Sequence, residues 1–156
     1  MSSASYSTKF LVSASPQAVY KAVTSDIDSW WTEMANDVCN VGDRLIVRFE
    51  KTTSWVMTLS EAIPHRSVIW EVVEANHDLE VLARRDEWEG TTIVWTIRED
   101  EGGSRITFVH KGLSPALDCF EICASGWTYF LGSLKSYLET GRGRPFRKAS
   151  ADARPE

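Results

Sequence analysis

Residues 126–145 read GWTYFLGSLKSYLETGRGRP, and the fold turns on what this stretch needs beneath it. At about 100° per residue a helix sets Trp127, Phe130, Leu131, Leu134 and Leu138 along one line, and the same line takes in Ala116, Phe120, Cys123 and Ala124 upstream. Asp118, Ser125, Ser136 and Glu139 fall opposite. The pair Ser114-Pro115 has the grammar of an N-cap followed by proline at the first helical position, and Gly141 suits a left-handed stop, so the spacing predicts one long helix between them. Burying each of its larger stripe members contributes about 1.5–3 kcal/mol before entropy is subtracted. That gain requires a broad apolar surface. Gly126 and Gly132 each cost about 1 kcal/mol relative to alanine inside a helix, which close backbone approach or spare room below would justify.

The upstream sequence supplies a sheet. YSTKFLV has the mixed alternation of an edge strand; DRLIVRFE alternates, with Leu45, Val47 and Phe49 on one side and Arg44, Ile46, Arg48 and Glu50 on the other. SWVMTLSEAI and SVIWEVVEA flank the short turn Pro64-His65-Arg66, and TTIVWTIRED and SRITFVHKGL flank Glu101-Gly102-Gly103, which makes two antiparallel hairpins. Ile93, Trp95 and Ile97 are expected on one face, beside Ile106, Phe108 and His110 of the next strand. Ser15-Pro16 opens a short helix with Val19, Ala22 and Val23 inward, and a second short helical turn carries Asp28, Trp30 and Trp31. The polar stretch Asn76–Gly90 reads as a loop. The predicted class is α+β: a curved antiparallel sheet of about six strands around a long C-terminal helix, with two short helices after the first strand.

The chain has 156 residues, enough for one core, with 43% hydrophobic and 25% charged residues and a net charge of −5. That balance argues against nucleic acid, which asks for a basic face. The only basic cluster, Arg142, Arg144, Arg147 and Lys148, reads as a solvated extension; the expected layout is a domain over 5–143 and a flexible basic tail over 144–156. MSSASYSTKF has no apolar run suited to a signal peptide, and no segment reaches the roughly 18–20 apolar residues of a membrane span. A cytoplasmic protein without membrane contact is expected. Cys39, Cys119 and Cys123 form no even framework and read as reduced thiols. Seven tryptophans exceed what a core of this size requires, and such rings line cavities as readily as cores.

In order and spacing, "SASPQAVYKAVT", "WW" at 30–31, "VGDRLIVRFE", "EAIPHRSVIWEV", "SRITFVHKGL" and "GWTYFLGSLKSYLETGRG" resemble the helix-grip fold of the START-like (SRPBCC) superfamily. More specifically, the chain is similar to bacterial single-domain relatives of the C-terminal domain of the heat-shock-protein ATPase activator, the Aha type. The resemblance implies a sheet gripping the final helix around a deep cavity, which in various relatives holds lipids, plant hormones, polyketides or other hydrophobic molecules. It does not select one activity, because this scaffold hosts carriers, cyclases and co-chaperone domains.

Within such a cavity, Trp70, Trp95, Phe108, Phe120, Trp127 and Leu131 are expected as walls, and the Trp30-Trp31 turn with the Asn76–Gly90 loop as the gate. His110, facing inward near its strand end, is the candidate polar anchor or general acid/base; the alternative is a histidine satisfied near the rim. Glu61 shares parity with Met57 and Leu59 and is the candidate second catalytic group. Cys119 and Cys123 stand at i and i+4, but a zinc site needs three or four ligands and His65, His77 and His110 lie on different elements. No metal and no cofactor are expected. Arg84-Arg85-Asp86-Glu87 reads as a solvated charge run. The leading expectation is binding of a small hydrophobic molecule; the alternatives are a cyclase- or hydrolase-like enzyme using the same cavity, and a chaperone-associated interaction domain. Two-fold association through an edge strand is a further expectation.

Overall fold

The computed structural model describes residues 5–49, 52–78, 85–117 and 119–147. Its strands are β1 (Tyr6–Val12), β2 (Arg44–Phe49), β3 (Thr53–Ile63), β4 (Ser67–Asn76), β5 (Thr92–Asp100) and β6 (Gly103–Lys111). They form one antiparallel sheet in the order β1-β6-β5-β4-β3-β2, so each strand pairs with its sequence neighbour except β1, which closes onto β6. β1 and β2 are the edges. Period-two alternation decides the inner face: Leu45, Val47, Met57, Leu59, Val68, Trp70, Ile93, Trp95, Ile97, Ile106, Phe108 and His110 are all buried. Register shifts put one extra residue in each strand of the β3–β4 pair, Val73 opposite the Val56–Met57 step and Ser60 between Leu59 and Glu61, and such bulges bend the strands.

Helix α1 (Pro16–Ala22) begins as predicted. Ser15 Oγ accepts from the Ala18 N–H at 3.1 Å, Pro16 follows, and Val19, Ala22 and Val23 are buried. The second short helix is one 3-10 turn, Ile27–Ser29, which delivers Trp30 and Trp31 to the core.

Helix α2 (Phe120–Thr140) crosses the inner face and ends at Gly141, whose φ of 84° is the left-handed stop and whose N–H reaches Tyr137 O at 2.8 Å. Its start differs from the expectation. The Ser114 carbonyl accepts from Leu117 in a short turn, Leu117 O accepts from Phe120, and Ala116 is exposed outside the helix. Cys119 is the N-cap and offers no side-chain cap; its N–H is taken by a Glu87 carboxylate oxygen at 3.0 Å. A distant side chain therefore organises the helix start that Ser114-Pro115 promised. Asp118 lies outside the described residues.

The stretch after α2 also differs from the expected free tail. Gly143 passes so close to Ser29 O and Trp30 Cα that a side chain there would collide with backbone. Arg144 N donates to Ser133 Oγ at 2.5 Å, Phe146 pairs with the Trp31–Glu33 backbone through two bonds of 2.9 Å, and Arg147 meets Glu33 at 2.7 Å. Residues 148–156 lie outside the described residues. No helix among those described is long and apolar enough to cross a membrane.

Candidate functional site

Between α2, the Phe49 end of β2, the start of β3 and the Phe146 segment lies a cavity of about 250 Å³. Its lining is dominated by aromatic rings: Trp31, Phe49, Trp55, Trp88, Trp127, Phe130 and Phe146, with Thr53, His77, Ile122, Cys123 and Gly126 completing it. Each comes from a local feature. The 3-10 turn presents Trp31, the parity of β3 turns Thr53 and Trp55 inward, and the three-residue and four-residue steps of α2 align Cys123, Gly126, Trp127 and Phe130. A Cβ at Gly126 would meet nothing within 4 Å, so of the two expected reasons for a glycine it is spare room that applies there. At Gly132 the nearest neighbour is the Arg144 guanidinium, 3.8 Å away.

Four indoles of this wall and one from the layer beneath it, Trp70, run in sequence. Trp70 stacks on Trp31 at 5.8 Å, Trp31 meets Trp127 at 4.9 Å, Trp127 stacks on Trp88 at 5.8 Å, and Trp88 stacks on Trp55 at 4.4 Å. Such contacts add to area burial and hold each ring in one orientation. The Trp55 indole N–H is buried and has no hydrogen-bond partner among the described residues.

Of the expected wall residues Trp127 borders the cavity, and of the expected gate turn Trp31 does. Trp30 lies behind Trp31 with its N–H on Ala22 O at 2.8 Å; Trp70, Trp95 and Phe108 form the layer beneath, and Phe120 and Leu131 pack against the core away from the cavity lining. Residues 79–84 of the expected gate loop, Arg84 included, lie outside the described residues. Arg85 pairs with Asp78 at 2.8 Å, and Glu87 holds the α2 start, so these two members of the expected charge run have definite partners.

His110 is fully buried behind Trp88 and Trp127. The Trp127 indole, which can only donate, reaches Nδ1 at 3.0 Å, so the ring proton sits on Nε2 and donates to Thr91 Oγ1 at 2.9 Å. Thr91 in turn donates to Trp88 O at 2.6 Å. Burial lowers the imidazole pKa to about 3. The histidine is neutral, has a partner at each nitrogen and contributes nothing directly to the cavity lining.

Glu61 does not join it. The bulge at Ser60 breaks the parity shared with Met57 and Leu59, Glu61 Oε2 accepts from Ser67 Oγ at 2.5 Å, and β3 lies three strands from β6. The two candidate catalytic groups are thus apart, each with its own partner.

The sequence reading missed Phe49, Trp55, Phe130 and Phe146 as lining, and within the expected gate loop Asn76–Gly90 it singled out neither His77 nor Trp88, which both border the cavity. A tryptophan inside a charged loop and a lone phenylalanine inside a basic stretch were the available signals. It also kept the histidines away from the cysteines, whereas the start of the loop carries His77 to α2: Nδ1 lies 3.9 Å from Cys123 Sγ, and the ligand atoms of His77, Cys119 and Cys123 all fall within 4.8 Å of one another. Trp88 Nε1 donates to Cys123 Sγ at 3.2 Å. Contact between the two sulfurs lowers the Cys119 pKa, and the same contact, with burial, pushes the Cys123 thiol up.

Comparison with known proteins places this geometry. Residues 13–139 match the family described as Activator of Hsp90 ATPase homolog 1-like protein. The solution structure of the Aha1 dimer from Colwellia psychrerythraea is 27% identical, with a TM-score of 0.74 over 90% of this chain and 99% of that one. A protein from Mesorhizobium loti is similar at 16% identity and a TM-score of 0.70 over 86% of this chain and 96% of that one. DynU16, from the dynemicin biosynthetic locus, is similar at 18% identity and a TM-score of 0.65, over 89% of this chain and 48% of that one. The last two likenesses speak to fold alone. No curated protein matches the chain.

Proposed function

For a chain that belongs to the Activator of Hsp90 ATPase homolog 1-like protein family, we propose that the aromatic cavity beside α2 is the working site and that it encloses a small, largely apolar molecule. The observation that carries this reading is the lining itself: seven aromatic rings around about 250 Å³, with Gly126 keeping one wall low. Ligand sites are typically apolar, with a few polar groups that set orientation, and span about 300–1,000 Å³. This cavity is slightly smaller, which selects a compact, flat molecule able to stack between indoles. Thr53 and His77 supply the polar edge.

An NMR titration of the indole N–H signals against pools of lipophilic small molecules tests the reading. Saturable shifts at Trp31, Trp55, Trp88 and Trp127 support it; shifts confined to outer-face residues, or none with any pool, overturn it. The enzymatic alternative has less support, because His110 and Glu61 are separated and both engaged. Self-association is a second reading, favoured by likeness to a dimeric protein and by the outer edge of β1, whereas residues 32–36 cover that of β2 through an Ala35–Val47 bridge and side-chain bonds from Thr32 and Asn36. Light scattering across a concentration series reads it directly. A chaperone partner is supported by the family match alone, and binding to a purified heat-shock ATPase tests it.

A further inference from the structure

We propose that His77, Cys119 and Cys123 form a binding site for a thiophilic divalent cation, with zinc as the best fit, at the edge of the aromatic cavity. Their ligand atoms lie within 4.8 Å of one another, and Cys123 Sγ stands 3.9 Å from His77 Nδ1. With Zn–S near 2.3 Å and Zn–N near 2.0 Å, donors around a tetrahedral zinc sit roughly 3.5–3.8 Å apart. Side-chain adjustment of about an ångström closes that difference, and the i, i+4 spacing at the start of α2 already sets the two sulfurs side by side.

The surroundings also favour a ligand role over plain core cysteines. A core thiol is commonly surrounded by hydrocarbon, whereas Cys123 Sγ faces an imidazole nitrogen and receives the Trp88 indole N–H at 3.2 Å. An indole N–H only donates, so that sulfur is held as an acceptor, as a metal-bound thiolate is. The Glu87 carboxylate fixes the backbone of Cys119 at 3.0 Å and so anchors the second sulfur. Three protein ligands leave one coordination position open, in contrast to closed four-ligand structural sites. Since His77 and Cys123 both line the cavity, that position faces it. The assignment does not depend on the cavity binding an organic ligand.

The test is a cobalt(II) titration of the full-length protein under a non-coordinating reductant, followed by displacement with zinc(II) against a competing chelator. The expected result is saturation at one equivalent with sulfur-to-cobalt charge-transfer absorption and strong tetrahedral d–d bands, both removed by one equivalent of zinc. Cys119→Ser and Cys123→Ser should each weaken binding by more than about 100-fold, and Trp88→Phe by about 10-fold, as loss of an outer hydrogen bond does. His77→Ala should shift the d–d bands, and Cys39→Ser, at an exposed thiol outside the cluster, should change nothing. Absence of charge-transfer bands in the reduced wild-type protein overturns the assignment, as does a band that survives both Cys119→Ser and Cys123→Ser. The wild-type reading stands whether or not a variant folds.

Discussion

The Trp127 indole N–H donates to His110 Nδ1 at 3.0 Å, so a cavity-lining ring on α2 is oriented by a histidine buried on β6. His110 Nε2–H then reaches Thr91, and Thr91 reaches the Trp88 carbonyl. One relay thereby ties the Trp127 indole and the Trp88 backbone, both at the cavity wall, to a single neutral imidazole.

Acid should loosen this arrangement. With a folded pKa near 3 against an ordinary 6.5, the native protein stays unprotonated at His110 while the unfolded chain takes up a proton. The unfolded state binds more protons in that window, so stability is fully present above pH 6.5 and is lost progressively as pH falls towards 3. The loss is about 1.4 kcal/mol per pH unit while only the unfolded chain carries the proton. Urea unfolding of wild type and His110→Asn between pH 4 and pH 7 should show a steeper pH slope for wild type, by about one proton. Equal slopes would refute a neutral buried His110.

Replacing Trp127 by phenylalanine keeps a ring but deletes the donor, leaving Nδ1 buried without its partner. Such an orphaned group costs about 1–3 kcal/mol. A double-mutant cycle of Trp127→Phe with His110→Phe should return a coupling of about 1 kcal/mol or more. Additive losses would mean that the hydrogen bond does little to fix the ring.

Much of this architecture is visible in one dimension. Period two locates the strands and puts His110 beside Phe108; a stripe at helical spacing finds α2, and Gly141 ends it. What stays hidden depends on through-space events. A single extra residue at Ser60 reverses the parity on which Glu61 was placed. The capping grammar of Ser114-Pro115 yields to a carboxylate arriving from Glu87. One side of the cavity is closed by residues with no period to read: Trp88 in a charged loop, His77 just past β4, and Phe146 in a basic stretch. Periodicity reports which face a regular element buries. It is silent on which irregular segments close over that face.

Gly126 offers a way to separate cavity from core. A Cβ there meets no neighbour, so Gly126→Ala should raise stability by up to about 1 kcal/mol through helix propensity alone. Gly126→Met should fold as well and project its side chain into the cavity, removing the indole shifts that a bound apolar probe produces. A destabilised alanine variant would contradict the open space beneath the helix. Undiminished probe binding by the methionine variant would place the ligand elsewhere.

Gly143 carries the opposite prediction. Its hydrogen points at the Ser29 carbonyl, with Ser133 Oγ and Trp30 Cα both 3.1 Å from where a Cβ would sit. Gly143→Ala must therefore lift the chain, and the contacts just beyond it go too: the Arg144 bond to Ser133, the two backbone bonds of Phe146, and the Phe146 ring, 5.2 Å from Phe49 over the cavity. Each hydrogen bond contributes about 0.5–1.5 kcal/mol net, so the variant should lose more than about 1 kcal/mol. Gly132→Ala, facing only the flexible end of Arg144, should lose nothing. Hydrogen exchange gives the local reading: the Phe146 and Glu33 amides should be protected in wild type and Gly132→Ala and should exchange freely in Gly143→Ala. Retained protection in Gly143→Ala would show that the segment is held by Phe146 itself, and that the close passage at Gly143 is incidental to closing the cavity.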